Sequence, residues 1–216
     1  MLSQSLKMRI ESKIWSSDEL GKLERRFRGN LINSIGGFKP LMLVGTKSAS
    51  GNSNLAVFSS YFHLGADPAY CGIVIRPAEP GENTLGNIME TGHYTLNHVL
   101  PEFYEKAHQC SAKYPQGMSE FEAVGLTPQF REGIQAPFVN ESKIKMACQL
   151  EEKIDVQLNG TTIIIGRMMH LEFPEDCLLA DGSVDLEKAQ SVTCSGLDTY
   201  YLTKWLGKLP YAKCTL

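Results

Sequence analysis

An arginine, a threonine and an asparagine in the first half of the chain could together bind a phosphate group. Arg76 ends a predicted strand, and Thr84 opens a predicted short helix that carries Asn87 one turn later. A helix N-terminus offers unpaired backbone N–H groups and the positive end of the helix dipole, and a guanidinium can bind phosphate through two parallel hydrogen bonds. The pattern is that of a phosphate monoester site. A simple helix cap at Thr84 and a surface ion pair at Arg76 would explain the same residues.

A second group of small polar side chains surrounds the strand-like run at 54–60. Asn54 lies at the start of this run, and Ser59 and Ser60 lie at its end. Amide and hydroxyl groups can both donate and accept hydrogen bonds, so they suit a polar ligand. Serines at the end of an edge strand need no ligand, and the residues themselves leave both interpretations open.

The signatures of several common enzyme classes are missing from the sequence. It contains no G-x-x-x-x-G-K-[ST] phosphate loop, no G-x-G-x-x-G dinucleotide turn and no G-x-S-x-G nucleophile elbow. The six cysteines show no C-x-x-C spacing, and His93 and His98 have no cysteine or carboxylate at a fixed offset. We therefore predict no metal site. The acidic pairs at 151–152 and 175–176 are better explained as solvated residues than as a catalytic pair.

The elements around these residues indicate a mainly β fold with peripheral helices. Four strand-like runs, each bounded by Gly, Asn, Asp or Pro, lie at 41–46, 54–60, 70–76 and 94–99. Asn159 and Gly160 predict a type I′ turn between two long strands, and the return strand at 161–173 carries apolar residues on both faces. Because both faces of this long two-stranded ribbon should be covered by other residues, the pattern favours closure into a barrel or formation of a dimer.

Two capping boxes predict helices outside the strands. Ser16 and Glu19 open a helix predicted at 17–31, and Ser119 with Glu122 opens a short helical turn that ends at Gly125. The sequence contains no internal repeat, low-complexity segment or linker. We therefore predict a single domain over residues 1–216.

Composition limits the partners and the compartment. The 216 residues are 43% hydrophobic and 21% charged, with a formal net charge of −3. Nucleic acid is not expected as a partner, because phosphate backbones require a basic surface. No apolar run approaches the 18 or so residues of a spanning helix, and the first residues contain no apolar signal region. We expect a cytoplasmic protein with reduced thiols and no membrane contact.

The order of short motifs along the chain resembles the flavin reductase-like family. Each motif is short, but together they cover roughly residues 37–205. The matching segments include 39–46, 51–60, 76–77, 84–92, 120–128, 136–142, 166–170 and 181–200. Two positions depart from the family pattern. Val57 stands where many relatives carry proline, and Asp67-Pro68-Ala69 replaces a common double proline.

This resemblance implies an antiparallel six-stranded split β-barrel, at about 38–205 here, that binds FMN and usually forms a homodimer. It implies that the isoalloxazine ring lies beside Asn54 and the backbones of Leu55 and Ala56. Ser59 and Ser60 would then serve the ribityl chain or the phosphate.

The resemblance also agrees with the phosphate site suggested by the residues themselves. Arg76, Thr84 and Asn87 match the positions that hold the phosphate in the family pattern. His170 matches a position near the flavin or the nicotinamide, and a hydrogen-bonded core histidine would fit the same position equally well. No catalytic acid or base is assigned, because hydride transfer to a flavin needs neither.

The expected function is that of an NAD(P)H-dependent flavin reductase or a related oxidoreductase. NADH or NADPH would reduce the bound flavin, and a free flavin or another acceptor would remove the electrons. FMN should be preferred to FAD, because the predicted anion site suits one phosphate and no pyrophosphate loop is present. Two alternatives stay open, an FMN electron carrier reduced by a partner protein and a barrel that has lost its cofactor and acts as a binding protein.

Overall fold

Antiparallel sheets and short helices make up the part of the chain that the computed structural model describes, residues 11–77, 84–115 and 117–214. The helices are α1 Ser17–Lys22, α2 Arg25–Ile35, α3 Thr84–Thr91, α4 Tyr104–Gln109 and α5 Glu120–Val124. The strands are β1 Lys39–Pro40, β2 Met42–Lys47, β3 Ser53–Phe58, β4 Phe62–Ala66, β5 Ala69–Ile75, β6 His93–His98, β7 Pro128–Arg131, β8 Ile134–Val139, β9 Lys145–Val156, β10 Thr161–Glu172, β11 Val192–Ser195 and β12 Thr199–Leu202.

The main sheet curls into a split barrel. Its seven strands run in the order β3-β2-β6-β9-β10-β5-β4, so β3 and β4 lie at opposite ends. Only residues 59–61 join these two strands, and that connection spans at most about 14 Å. The two ends of the sheet must therefore approach each other without pairing. The mainly β split barrel is confirmed, but with seven strands rather than six, because β4 forms between the predicted runs at 54–60 and 70–76.

The long hairpin forms where the sequence predicts it, with a different turn. Pairing ends at Val156 and Thr161, so the connection has four residues. Gly160 has a φ of +70°, whereas Asn159 is not among the residues with positive φ, and the predicted type I′ turn is wrong. Four-residue connections are usually built on type I geometry, which requires a positive φ at fewer positions. Asn159 instead accepts a hydrogen bond from the Thr161 backbone at 3.1 Å.

The N-terminal helical region is divided in two. The capping box is confirmed, because Ser16 N–H donates to Glu19 at 2.7 Å and Glu19 N–H donates to Ser16 Oγ at 3.3 Å. The helix predicted at 17–31 breaks at Leu23 and Glu24, whose ψ angles are 145° and 139°. The break forms because the Glu24 carboxylate accepts from Arg26 N–H and Phe27 N–H, both at 2.8 Å, and so caps α2.

The core lies on both faces of β2. Met42 and Val44 pack with the barrel interior around Tyr94 and Ile164, whereas Leu43 packs with residues of α4 and α5. The alternation of strand side chains between two faces explains this arrangement. By contrast, Met169 and Leu171 on β10 are more than half exposed, so this chain by itself does not cover both faces of the ribbon. Within the described ranges, no helix has the length and hydropathy required to cross a bilayer.

Candidate functional site

Three of the predicted cofactor residues form a hydrogen-bonded cluster with Thr46, which the sequence analysis did not assign to the site. The hydroxyl of Thr46, on β2, accepts hydrogen bonds from the side-chain amides of Asn54 at 3.3 Å and Asn87 at 3.0 Å. Asn54 Nδ2 also lies 3.2 Å from the Thr84 hydroxyl. We call these four residues the Thr46 cluster. It ties β2, β3 and the beginning of α3 together.

Local structure explains why these side chains meet. Thr46 and Asn54 are direct cross-strand partners in the β2–β3 ladder. The prediction of a short helix from Thr84 to a stop at Gly92 is confirmed, since α3 spans Thr84–Thr91 and Gly92 N–H donates to Ile88 at 2.8 Å. Ile88 is fully buried in the barrel core, which orients the helix so that Asn87 points inward. The sequence analysis did not pair the strand-like runs at 41–46 and 54–60, and such a pairing would have placed Thr46 opposite Asn54.

Two residues of the Thr46 cluster open onto a cleft. Asn54 and Asn87 line a cavity of about 340 Å³ between the 51–54 segment, α3 and residues 114–115 and 117–122. This volume falls near the lower end of the range for small-molecule sites, roughly 300–1,000 Å³. Asn87 is 2% exposed and Thr46 is fully buried, so a buried hydroxyl fixes the position of the amide groups at the cleft.

The wall of the cleft formed by α5 differs from its prediction. Gly125 ends the helix in a left-handed conformation, as expected. Ser119 makes no side-chain capping hydrogen bond, so the prediction of a second capping box is wrong. The Ser119 hydroxyl is buried without a hydrogen-bond partner, and Glu122 lines the cleft. A polar atom left unpaired beside a polar cleft is a feature that a bound ligand could satisfy.

Glu120 is hydrogen-bonded to the backbone of Leu55, a residue expected to lie beside a flavin ring. Its carboxylate accepts a hydrogen bond from Leu55 N–H at 2.9 Å. Because β3 is an edge strand of the sheet, this N–H has no ladder partner, and Glu120 satisfies it. Leu55 N–H is therefore already paired within the chain, and the expectation that the Leu55 backbone lies beside the ring stays a prediction. Ala56 follows on the same strand and is half-buried.

Three other predicted residues have partners outside the Thr46 cluster. Ser60 both donates to and accepts from the Val74 backbone, at 2.7 and 3.1 Å, and so ties the β3–β4 connection to β5. Ser59 lies beside the Cys194 thiol, whose pKa is raised by burial. Arg76 is exposed and donates to Asn33 of α2 at 3.1 Å. Residues 78–83, between Arg76 and Thr84, lie outside the described residues.

His170 lies on β10 in a separate, charged environment. Its ring packs 5.7 Å from the ring of Phe138, and its Nε2, which is buried without a hydrogen bond, is 3.9 Å from Glu172. Burial raises the pKa of Glu172, but hydrogen bonds and charge from Arg131 and Lys145 outweigh it and leave this pKa lowered. His170 is not among the described residues that line the cleft.

Comparison with known proteins assigns the family. Residues 38–185 match the flavin reductase like domain. The chain belongs to the flavin reductase-like family. An uncharacterized protein of Halalkalibacterium halodurans is 32% identical over 161 residues, which cover 72% of this chain and 77% of that protein.

Solved structures of similar proteins agree with the fold. A proposed flavin reductase with a split barrel domain from Shewanella frigidimarina is 43% identical, with a TM-score of 0.90, and the match covers 93% of this chain and all of that one. Nitrilotriacetate monooxygenase component B from Bacillus cereus matches with a TM-score of 0.80 over 92% of this chain and all of that one, at 22% identity. At that identity the second similarity supports the fold alone. The resemblance in short motifs and the mainly β split-barrel fold are therefore both confirmed.

Proposed function

We propose that this protein binds FMN at the cleft beside the Thr46 cluster and uses it in an NAD(P)H-dependent oxidoreductase reaction, most simply the reduction of a free flavin. The observation that carries the proposal is the pair of amides, Asn54 and Asn87, held at one cleft by the buried Thr46 hydroxyl. Membership in the flavin reductase-like family supplies the cofactor class.

The Thr46 cluster and Ser119 offer neutral hydrogen-bonding groups to a flavin, whose phosphate would lie away from the Glu120 and Glu122 carboxylates that line the same cleft. Asn54 and Asn87 offer uncharged amides, Thr84 offers a hydroxyl at the beginning of α3, and the Ser119 hydroxyl has no other partner. In this proposal Thr84, Asn87 and Arg76 hold the phosphate, Ser59 serves the ribityl chain or phosphate, and Asn54 with the Ala56 backbone contacts the ring. Leu55 contributes position rather than its N–H, and Ser60 contributes by anchoring the β3–β4 connection to β5.

Bound FMN would supply the hydride-accepting and electron-transferring chemistry. The chain would then have to bind and orient the cofactor and the nicotinamide. Thr46 fixes the direction of both amides, so their hydrogen-bonding edges are arranged before a ligand arrives, which reduces the entropy lost on binding. Glu120 holds α5 against β3 and so defines one wall of the cleft.

Flavin titration tests the cofactor assignment. We expect quenching of flavin fluorescence to give the tightest binding for FMN, weaker binding for FAD and the weakest for riboflavin, because riboflavin has no phosphate. Equal affinity for FMN and riboflavin would contradict a phosphate site. A colourless preparation that takes up none of the three would favour the alternative of a barrel without a cofactor.

Anaerobic mixing with each nicotinamide tests the reaction. Loss of the flavin absorbance on addition of NADH or NADPH is the expected result. Reduction by dithionite or by a partner protein, with no response to either nicotinamide, would instead favour an FMN electron carrier. The same titration identifies which of the two nicotinamides is used.

A matched pair of variants tests Arg76. We expect R76A to weaken FMN binding about 10- to 100-fold, since a charged hydrogen bond contributes roughly 1.5–3 kcal/mol. N33A removes the partner of Arg76 on α2 but keeps the guanidinium, so it should bind FMN like the parent. If R76A also binds like the parent, the arginine serves α2 and not the cofactor.

We also propose that the protein is cytoplasmic and forms a homodimer. The exposed residues Met169 and Leu171 of the ribbon, together with Phe27 on α2, are apolar surface that a second copy could cover. Closed two-fold pairs are the commonest assembly of soluble oligomers. Light scattering at micromolar concentration should therefore report about twice the 24.0 kDa of one chain.

A further inference from the structure

The segment 203–214, which follows β12, leaves four large apolar side chains uncovered. None of its residues belongs to a helix or strand, and all of them are exposed. The exposed fractions are 72% for Trp205, 102% for Leu206, 88% for Leu209 and 92% for Tyr211. Four large apolar side chains exposed within seven residues of one segment are typical of an interaction site.

Polar contacts, rather than apolar packing, attach this segment to its own chain. Trp205 N–H donates to the Glu187 carboxylate at 2.8 Å, and Lys208 forms an ion pair with Asp181. Both partners lie in the connection between β10 and β11. These contacts set the course of the segment over the surface, and they leave its apolar side chains facing away.

The exposed apolar area is sufficient for a stable interface between two copies. A fully exposed aromatic side chain presents about 150–250 Å², and a leucine somewhat less, so the four residues together present roughly 700 Å². A standard interface buries about 800 Å² on each partner. Two further exposed apolar residues lie near the start of the segment: Leu202, which is 56% exposed, and Phe38, whose ring lies 4.9 Å from that of Tyr201.

We propose that the segment 203–214 is an arm that packs its four apolar side chains against a second copy of this chain. In a two-fold pair each chain gives one arm and receives one, so both apolar arms are buried at once and the assembly closes. The inference rests on the homodimer proposed above and specifies where its contacts lie. It does not depend on flavin binding.

Sedimentation analysis of arm variants tests the proposal without any flavin. We expect the parent to be a dimer. The variant W205S/L206S/L209S/Y211S should raise the dimer dissociation constant at least about 100-fold, because burying each such side chain is strongly favourable. The control K204S/K213S changes two exposed charged residues of the same segment and should leave the dimer intact. A parent that is monomeric, or an apolar variant that dimerises like the parent, would overturn the arm. The second result would leave the dimer and the flavin site standing.

Trp205 provides an independent measurement in a chain that keeps its arm. The sequence has two tryptophans, so W15F leaves Trp205 as the single emitter. Docking of the arm predicts emission that shifts to shorter wavelength as the protein concentration rises through the dimer transition. Emission typical of water-exposed tryptophan at every concentration, in a protein that sedimentation reports as a dimer, would refute the proposal. This readout also decides the matter if the quadruple variant fails to fold.

Discussion

Replacing Thr46 with valine should remove the hydrogen bonds that hold the amides of the cleft while keeping the volume of the side chain. Valine has nearly the volume of threonine but has no acceptor for the amides of Asn54 and Asn87. Asn54 keeps the Thr84 hydroxyl at 3.2 Å, whereas the 2% exposed Asn87 loses the acceptor of its amide. An unsatisfied buried polar group costs about 1–3 kcal/mol. We expect T46V to lower the free energy of unfolding by that amount and to weaken FMN binding about tenfold or more.

Urea denaturation and flavin fluorescence quenching measure the two effects of T46V separately. T46S keeps the hydroxyl and should bind FMN within about threefold of the parent, although loss of a methyl group costs it about 1 kcal/mol of stability. The double variant T46V/N87L removes both members of the pair and should regain much of the stability without regaining FMN affinity. If T46V unfolds and binds FMN like the parent, the Thr46 cluster does not organise the site.

Three further variants test other parts of the structure. E120A should destabilise the fold by about 1–3 kcal/mol because Leu55 N–H loses its acceptor, and E120Q, which keeps an acceptor, should lose less, as measured by urea denaturation. Burial lowers the pKa of His98 to about 4, so the folded state binds fewer protons than the unfolded state between pH 6.5 and 4. Parent stability should therefore fall as the pH drops through this window, and H98Q should lose that dependence, whereas an unchanged slope in H98Q would refute the assignment. In G166A the new Cβ would overlap the Tyr94 hydroxyl, which is expected to cost about 1–3 kcal/mol. Combining it with Y94F should recover part of the loss, and additive effects within about 0.5 kcal/mol would contradict the contact.

The sequence by itself determined the features that depend on residues close together in the chain. The capping box at Ser16, the stop of α3 at Gly92 and the hairpin ending at Gly160 each rest on contacts spanning a few residues. The collinear order of short motifs identified the family, because such an order survives when each motif alone is uninformative. Thr84 and Asn87 could be proposed together as phosphate-binding residues because they lie one helical turn apart.

Only the tertiary structure decided which polar groups are free for a ligand. Thr46 meets Asn87 across 41 positions, Leu55 meets Glu120 across 65, and Arg76 meets Asn33 across 43. Such contacts depend on strand register and on how far the sheet curls, and a local pattern contains neither. The break between α1 and α2 has a related cause, because the Glu24 carboxylate could either face solvent within one helix or cap a second one, as it does here. The side-chain types of the cleft were therefore readable in the sequence, while their availability was set by the curvature of the sheet that brings distant hydrogen-bonding groups together.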